Sequence, residues 1–262
     1  MDPLALLLHT AARRYLRDQS DHWNARYTEL RRGREHEIPY RYTDKDLATF
    51  PRYIVLDAIC TEIERIRPST VPTLEQMRTL IVLAGEVGES AFTREPLSPI
   101  SADVMDEERE TFIRHIEALD EDLLWRVAPL PAKVVLSEGE AKRVAEIITQ
   151  EWKITGCWFP LEPCKRSDVR AFHRDAFVRD DASALLRVLL PDEPVWIWGE
   201  DGTVIEIDRD AFDVRNAGVE TFCTSASNDW LVYCSHEGTV AVAGKVLDGL
   251  LAAWPGARAA AY

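Results

Sequence analysis

The 262-residue sequence contains no apolar run near the roughly 18 residues that a membrane-spanning helix requires. It also has no glycine-rich phosphate loop and no dinucleotide-binding fingerprint, so no cofactor is expected. Cysteine is sparse: Cys60, Cys157, Cys164, Cys223 and Cys234 are odd in number and widely scattered. A chain of this size needs no disulfide framework, and a reducing cytoplasm suits five free thiols. The spacings Cys157 to Cys164 and Cys223 to Cys234 lack the close pairing with which two thiolates grip one zinc. No metal is therefore expected, and the helical pairs His115 with Glu110 and His22 with Asp18 and Asp21 read as solvated faces. The opening MDPLALLLHTAARR places an acid before its short apolar run and arginines after it, the reverse of a secretory signal.

Basic charge is in short supply too. Residues 1–130 hold 17 basic and 24 acidic side chains, and residues 131–262 hold 14 and 21, so the net charge of −14 divides evenly. Affinity for nucleic acid and anionic lipid comes largely from Lys and Arg, so direct binding to either is disfavoured and a basic protein partner is favoured.

What is present suggests an α+β protein with a helical domain over 1–130 and an α+β domain over 131–262, the latter with a mostly antiparallel sheet and a C-terminal helix. Asp2-Pro3 supplies a cap and a first-turn proline for a helix running to Gly33, in one piece or broken near Asp18 to Asp21. Further helices are expected over a short turn between Tyr42 and Pro51, over 51–68, from the Thr73/Gln76 capping box through Ala91, and over 102–127. Pro129 and Pro131 mark the change of character. KVVL then reads as a strand, SEGE as a capping box for a helix, KITGCWFPL as a strand, RAFHRDAF and DASALLRVLL as helical, and VWIWGEDGTVIEI as a hairpin turning at Glu200-Asp201-Gly202. A last helix is expected over 245–254.

NDWLVYCSHEGTVAVAG, residues 228–244, sets Cys234, Ser235, His236 and Glu237 side by side. Strand alternation puts Trp230, Val232, Cys234 and His236 on one face, and Leu231, Tyr233 and Ser235 on the other. A nucleophilic thiol needs a base within about 3 Å, whereas strand neighbours two apart stand about 6.5 Å from each other. The stretch therefore reads as a hairpin with its turn at Glu237-Gly238. His173-Arg174-Asp175 matches the HRD triplet of protein kinases, but Asp180 stands where that loop has asparagine, and no DFG or glycine-rich loop accompanies it.

Six of the eight tryptophans lie in the second half, and Trp196 and Trp198 share a strand face beside Glu200, Asp201, Glu206, Asp208, Asp210 and Asp213. Aromatic anchors rimmed by charge suit a protein-binding surface. The leading expectation is thus a cytoplasmic, non-enzymatic binding protein of the kind bacterial immunity and accessory proteins represent. Its acidic surface would engage a basic partner such as a nuclease-like toxin. The alternative is a hydrolase with a cleft near His236, using His236 and Glu237 with Cys223 or Asp229 brought close by folding.

Overall fold

Asp2 starts two helices at once: its carboxylate accepts the Leu4 backbone N–H at 2.9 Å and the Leu74 backbone N–H at 3.0 Å. The first of these is α1 (Pro3–Arg31). The computed structural model describes residues 2–34, 36, 39, 41–164 and 166–262, and the chain divides into two units, Met1–Leu130 and Pro131–Tyr262. The protein is α+β, with helices first and an antiparallel sheet of seven strands after them.

In the first unit α1 is followed by α2 (Asp44–Leu47), α3 (Phe50–Glu64), α4 (Leu74–Val87), α5 (Ala91–Arg94), α6 (Pro99–Ala118) and α7 (Glu121–Leu124). Leu8, Ala12 and Leu16 of α1 meet Val55, Ile59 and Ile63 of α3, Met77 and Ile81 of α4, and Phe112 and Ile116 of α6 in one buried cluster. Each such large side chain contributes roughly 1.5–3 kcal/mol by leaving water. α1 runs unbroken through its polar middle, where Ser20 donates to Asp57 of α3 at 2.6 Å. Polar groups also enter the core. The His9 ring bonds the Ile63 carbonyl at 3.0 Å, and Arg13 pairs with Glu64 at 3.3 Å, both side chains being almost fully buried.

Two expected helices are shorter than their apolar patterns. α4 stops at Val87 instead of Ala91, because the Arg109 guanidinium of α6 donates to the Gly85 and Gly88 carbonyls and Ser90 then opens α5 with a capping box of its own. The helix expected over 102–127 begins earlier, at Pro99, and ends at Ala118; Asp120 accepts the Leu123 N–H at 2.8 Å and starts α7.

The second unit contains β1 (Lys133–Val135), α8 (Glu138–Trp152), β2 (Val169–His173), α9 (Arg174–Arg179), α10 (Ala182–Leu189), β3 (Val195–Trp198), β4 (Val204–Ile207), β5 (Thr221–Ser225), β6 (Trp230–Cys234), β7 (Thr239–Gly244), α11 (Val246–Ala253) and α12 (Ala257–Ala260). The sheet order is β1-β4-β3-β5-β6-β7-β2, antiparallel throughout. Trp230, Val232 and Cys234 of β6 face a core shared with Phe177, Leu186, Leu250 and Trp254. Leu231 and Tyr233 face the opposite core, under Val144, Ile148 and Trp152 of α8. Helices on both sides explain why the central strands are apolar on both faces.

Two local expectations fail, and one strand was not expected. KITGCWFPL is not a strand: Lys153 ends α8 in the left-handed region (φ 55°), and Ile154 and Trp158 drop into the core from turns. The front of RAFHRDAF is β2 rather than helix, because Val169, Ala171 and Phe172 are buried between β7 and the two cores while Arg170 and His173 stay outside. β5 had no distinct signal in the sequence; it is the strand that joins the β3–β4 hairpin to the β6–β7 hairpin.

Candidate functional site

Rings stack across one face of the sheet. Trp198 on β3 opposes Phe222 on β5 at 5.2 Å between centroids, and Phe222 stacks on Tyr233 of β6 at 4.6 Å. Trp158 and then Trp152 continue the row at 6.5 and 6.0 Å. Glu220, just before β5, has φ 51°, a left-handed conformation that is uncommon for a residue with a side chain and costs on the order of 1 kcal/mol. That backbone directs its carboxylate back over the β6–β7 turn. One oxygen accepts from the Tyr233 hydroxyl; the other accepts from the His236 backbone N–H at 2.8 Å and from His236 Nδ1 at 2.6 Å.

The electrostatics follow from these contacts. Burial alone would raise the Glu220 carboxyl, but the bonds from Tyr233 and from the backbone and ring of His236 outweigh it and hold it below the usual carboxylate range. Burial, then the neighbouring Glu220, push the Tyr233 hydroxyl well above its ordinary value. The bond to Glu220 holds His236 above its own, and Glu237 stands 3.3 Å from Nε2. A pocket of about 580 Å³ opens beside this cluster, bounded by Ile154, Cys157, Trp198, Glu200, Phe222 and His236.

The pocket therefore gathers residues from both functional expectations, Trp198 and Glu200 from one and His236 from the other. The remaining acids are used locally. Glu206 accepts from Trp196 Nε1 at 3.1 Å, and Asp201 holds its turn through the Thr203 N–H and hydroxyl, each at 2.9 Å. Asp208 accepts the Ala132 N–H at 2.7 Å, Asp210 pairs with Arg209 at 2.9 Å, and Asp213 pairs with Arg215. Asp208, Asp210 and Asp213 follow β4, whereas Glu200 and Asp201 precede it, so the acidic rim is split between the two ends of that strand.

The hydrolase set does not converge. Glu237 touches His236, but Cys223 is fully buried on the face of β5 opposite Phe222, and burial pushes its thiol well above the ordinary value. Cys234 is pushed up to about 12 by the same cause. Asp229 lies at the far end of β6, bound to Lys245 at 2.6 Å and to Ser227 at 3.0 Å. In the HRD triplet, Arg174 donates to the Val214 and Ala217 carbonyls and fastens a loop. No group of three or more potential metal-ligating side chains assembles among the described residues, and no helix among them is long and apolar enough to cross a membrane.

Glu220, Phe222 and Cys157 were absent from the site expected from the sequence. One signal pointed to Glu220: a tyrosine on a strand buried on both faces needs a partner for its hydroxyl. Comparison with protein-family models, curated proteins and solved structures finds no match.

The cluster carries a prediction. In an NMR titration the His236 ring is expected to titrate above its usual range, and Glu220→Gln should return it toward that range. Because the folded value is raised, the contribution of this pair to stability is present below the unfolded value near 6.5 and fades as pH rises through the folded one. An unchanged His236 titration in Glu220→Gln would show that the carboxylate does not govern the ring.

Proposed function

We propose that this chain is a non-enzymatic protein-binding protein, an acidic cytoplasmic protein of the immunity or accessory kind, that receives a basic side chain of its partner in the Trp198 pocket. The observation that carries the reading is the division of labour among the carboxylates. Glu220 is occupied by Tyr233 and His236, while Glu200 is exposed at the pocket mouth and makes no hydrogen bond or ion pair among the described residues. A guanidinium or ammonium laid on an indole face gains about 0.5–2 kcal/mol, and an exposed carboxylate at the rim adds steering. The burial of Cys223 and Cys234 weighs against the hydrolase reading, since a protonated buried thiol is a poor nucleophile.

The test is site-specific photo-crosslinking from position 237 in the native cell, followed by affinity measurements with the captured protein. The expected partner is basic. Trp198→Ala and Glu200→Lys should each weaken binding about tenfold, roughly 1.4 kcal/mol. The Glu200 effect should shrink as salt rises, with little change in melting temperature. Capture of only acidic proteins, or full affinity in both variants, would sink the reading. Turnover of ester or peptide substrates that His236→Ala abolishes would move the assignment to a hydrolase.

A further inference from the structure

The first unit carries an apolar face that its own core does not use. On α4, Met77, Ile81 and Ala84 point into the bundle, while Leu80, Leu83 and Val87 are 38, 48 and 54 % exposed. At helical spacing these three form a stripe about 10 Å long. A groove of about 390 Å³, floored by Val71, Pro72 and Leu80, extends the stripe at its N-terminal end.

Two carboxylates lie along it. Glu75 and Glu86 lie on one flank of the stripe, exposed, and neither side chain has a hydrogen bond or ion pair among the described residues. The two arginines nearest the helix are turned away to backbone: Arg78 donates to the Ile116 and Leu119 carbonyls, and Arg109 to those of Gly85 and Gly88. Those bonds run into the bundle, and the carboxylates line one flank of the apolar stripe.

We infer that α4 is a docking face for an amphipathic helix of a partner protein, one with leucine-like residues at i, i+3 or i+4 and i+7 and with Lys or Arg beside them. A helix in a groove is read through such spaced anchors, and the basic flank would meet Glu75 and Glu86. A second copy of this chain fits poorly, because an antiparallel two-fold pairing of α4 sets the acidic flanks against each other and a parallel one leaves them without basic partners. Anionic lipid is repelled by the same carboxylates. This face uses none of the residues of the Trp198 pocket, so the two surfaces fail or hold independently.

The experiment uses the full chain and two fluorescent synthetic 18-residue peptides with one apolar helical pattern, the polar positions filled by lysine in one and by glutamate in the other. The lysine peptide should bind and the glutamate peptide should not. Leu83→Asp, at an exposed position, should weaken the lysine peptide at least tenfold without altering the circular dichroism spectrum. Glu86→Lys should weaken it about threefold, by an amount that falls with added salt, and Trp198→Ala should leave it unchanged. Equal affinity for both peptides, an unaffected Leu83→Asp variant, or loss of binding in Trp198→Ala would overturn the assignment. So would an outcome in which Leu83→Asp instead abolishes a concentration-dependent dimer or binding to phosphatidylcholine vesicles.

Discussion

Lowering the pH from 7 to 4 is expected to remove about 3 kcal/mol of stability through one side chain, His9. Its ring is buried and donates to the Ile63 carbonyl of α3 at 3.0 Å. Burial is the main cause that pushes its pKa down to about 4; the Arg13 charge pushes the same way, against the Ile63 bond and Glu64. Between the unfolded value near 6.5 and the folded value near 4, the unfolded chain binds a proton that the native ring refuses, so stability rises with pH across that window. His236 works in the opposite sense, its contribution fading at higher pH. Urea unfolding followed at several pH values should show the acid-side loss, and His9→Gln, which keeps a donor for the carbonyl, should flatten it. A His9 resonance titrating near 6.5 in the folded protein would remove the basis for this expectation.

Gly244→Ala should be the most damaging single methyl in the second unit. Gly244 closes β7 with φ 80°, opposite Trp230. A Cβ there would stand 2.2 Å from the Asp229 carbonyl oxygen and 2.9 Å from the Trp230 Cα, both backbone atoms that no rotamer change can move. The same junction holds the Gly244 N–H on the Asp168 carbonyl and the Lys245 N–H on that of Asp229, each at 3.0 Å. The start of β2, the start of β6 and the end of β7 would all have to shift, at a cost of more than about 3 kcal/mol. Gly238, at the β6–β7 turn with φ 69°, supplies the control, since a Cβ there meets nothing within 4 Å. Gly238→Ala should cost about 1 kcal/mol, the penalty of the left-handed conformation alone. Equal melting temperatures for the two variants would refute the steric account.

Features whose cause is local were legible in the sequence. Asp2-Pro3, the Ser137/Glu140 capping box and the Gly-containing turns at Gly202 and Gly238 each satisfy backbone groups a few residues away, so the pattern carries its own explanation. β2 was not legible. Arg170 sits between buried Val169 and Ala171, and only pairing with β7 distinguishes that spacing from a helical stripe. Nor did the sequence announce that Leu80 and Val87 lie outside the core, because their spacing on α4 equals that of the buried residues and depth depends on where α6 packs. The Glu220–His236 contact spans 16 positions and depends on a positive φ in a residue that seldom adopts one. Its two ends lie just before β5 and in the β6–β7 turn, neighbours only once the sheet has formed.

The sheet order sets a timetable for synthesis. Both edge strands are made long before their partners: Val135 of β1 waits for Ile205, and Phe172 of β2 waits for Val240, each roughly 70 residues later. At about 5–20 residues per second, each edge spends on the order of 4–14 s on the ribosome without its native neighbour. An unpaired edge is the usual template for pairing with the wrong chain. Here β1 is three residues long and begins at Lys133, and β2 keeps Arg170 and His173 exposed. Further along, Ala261 bridges Phe172 and the Tyr262 N–H bonds the Ala171 carbonyl, so a segment made well after β2 covers part of its open edge.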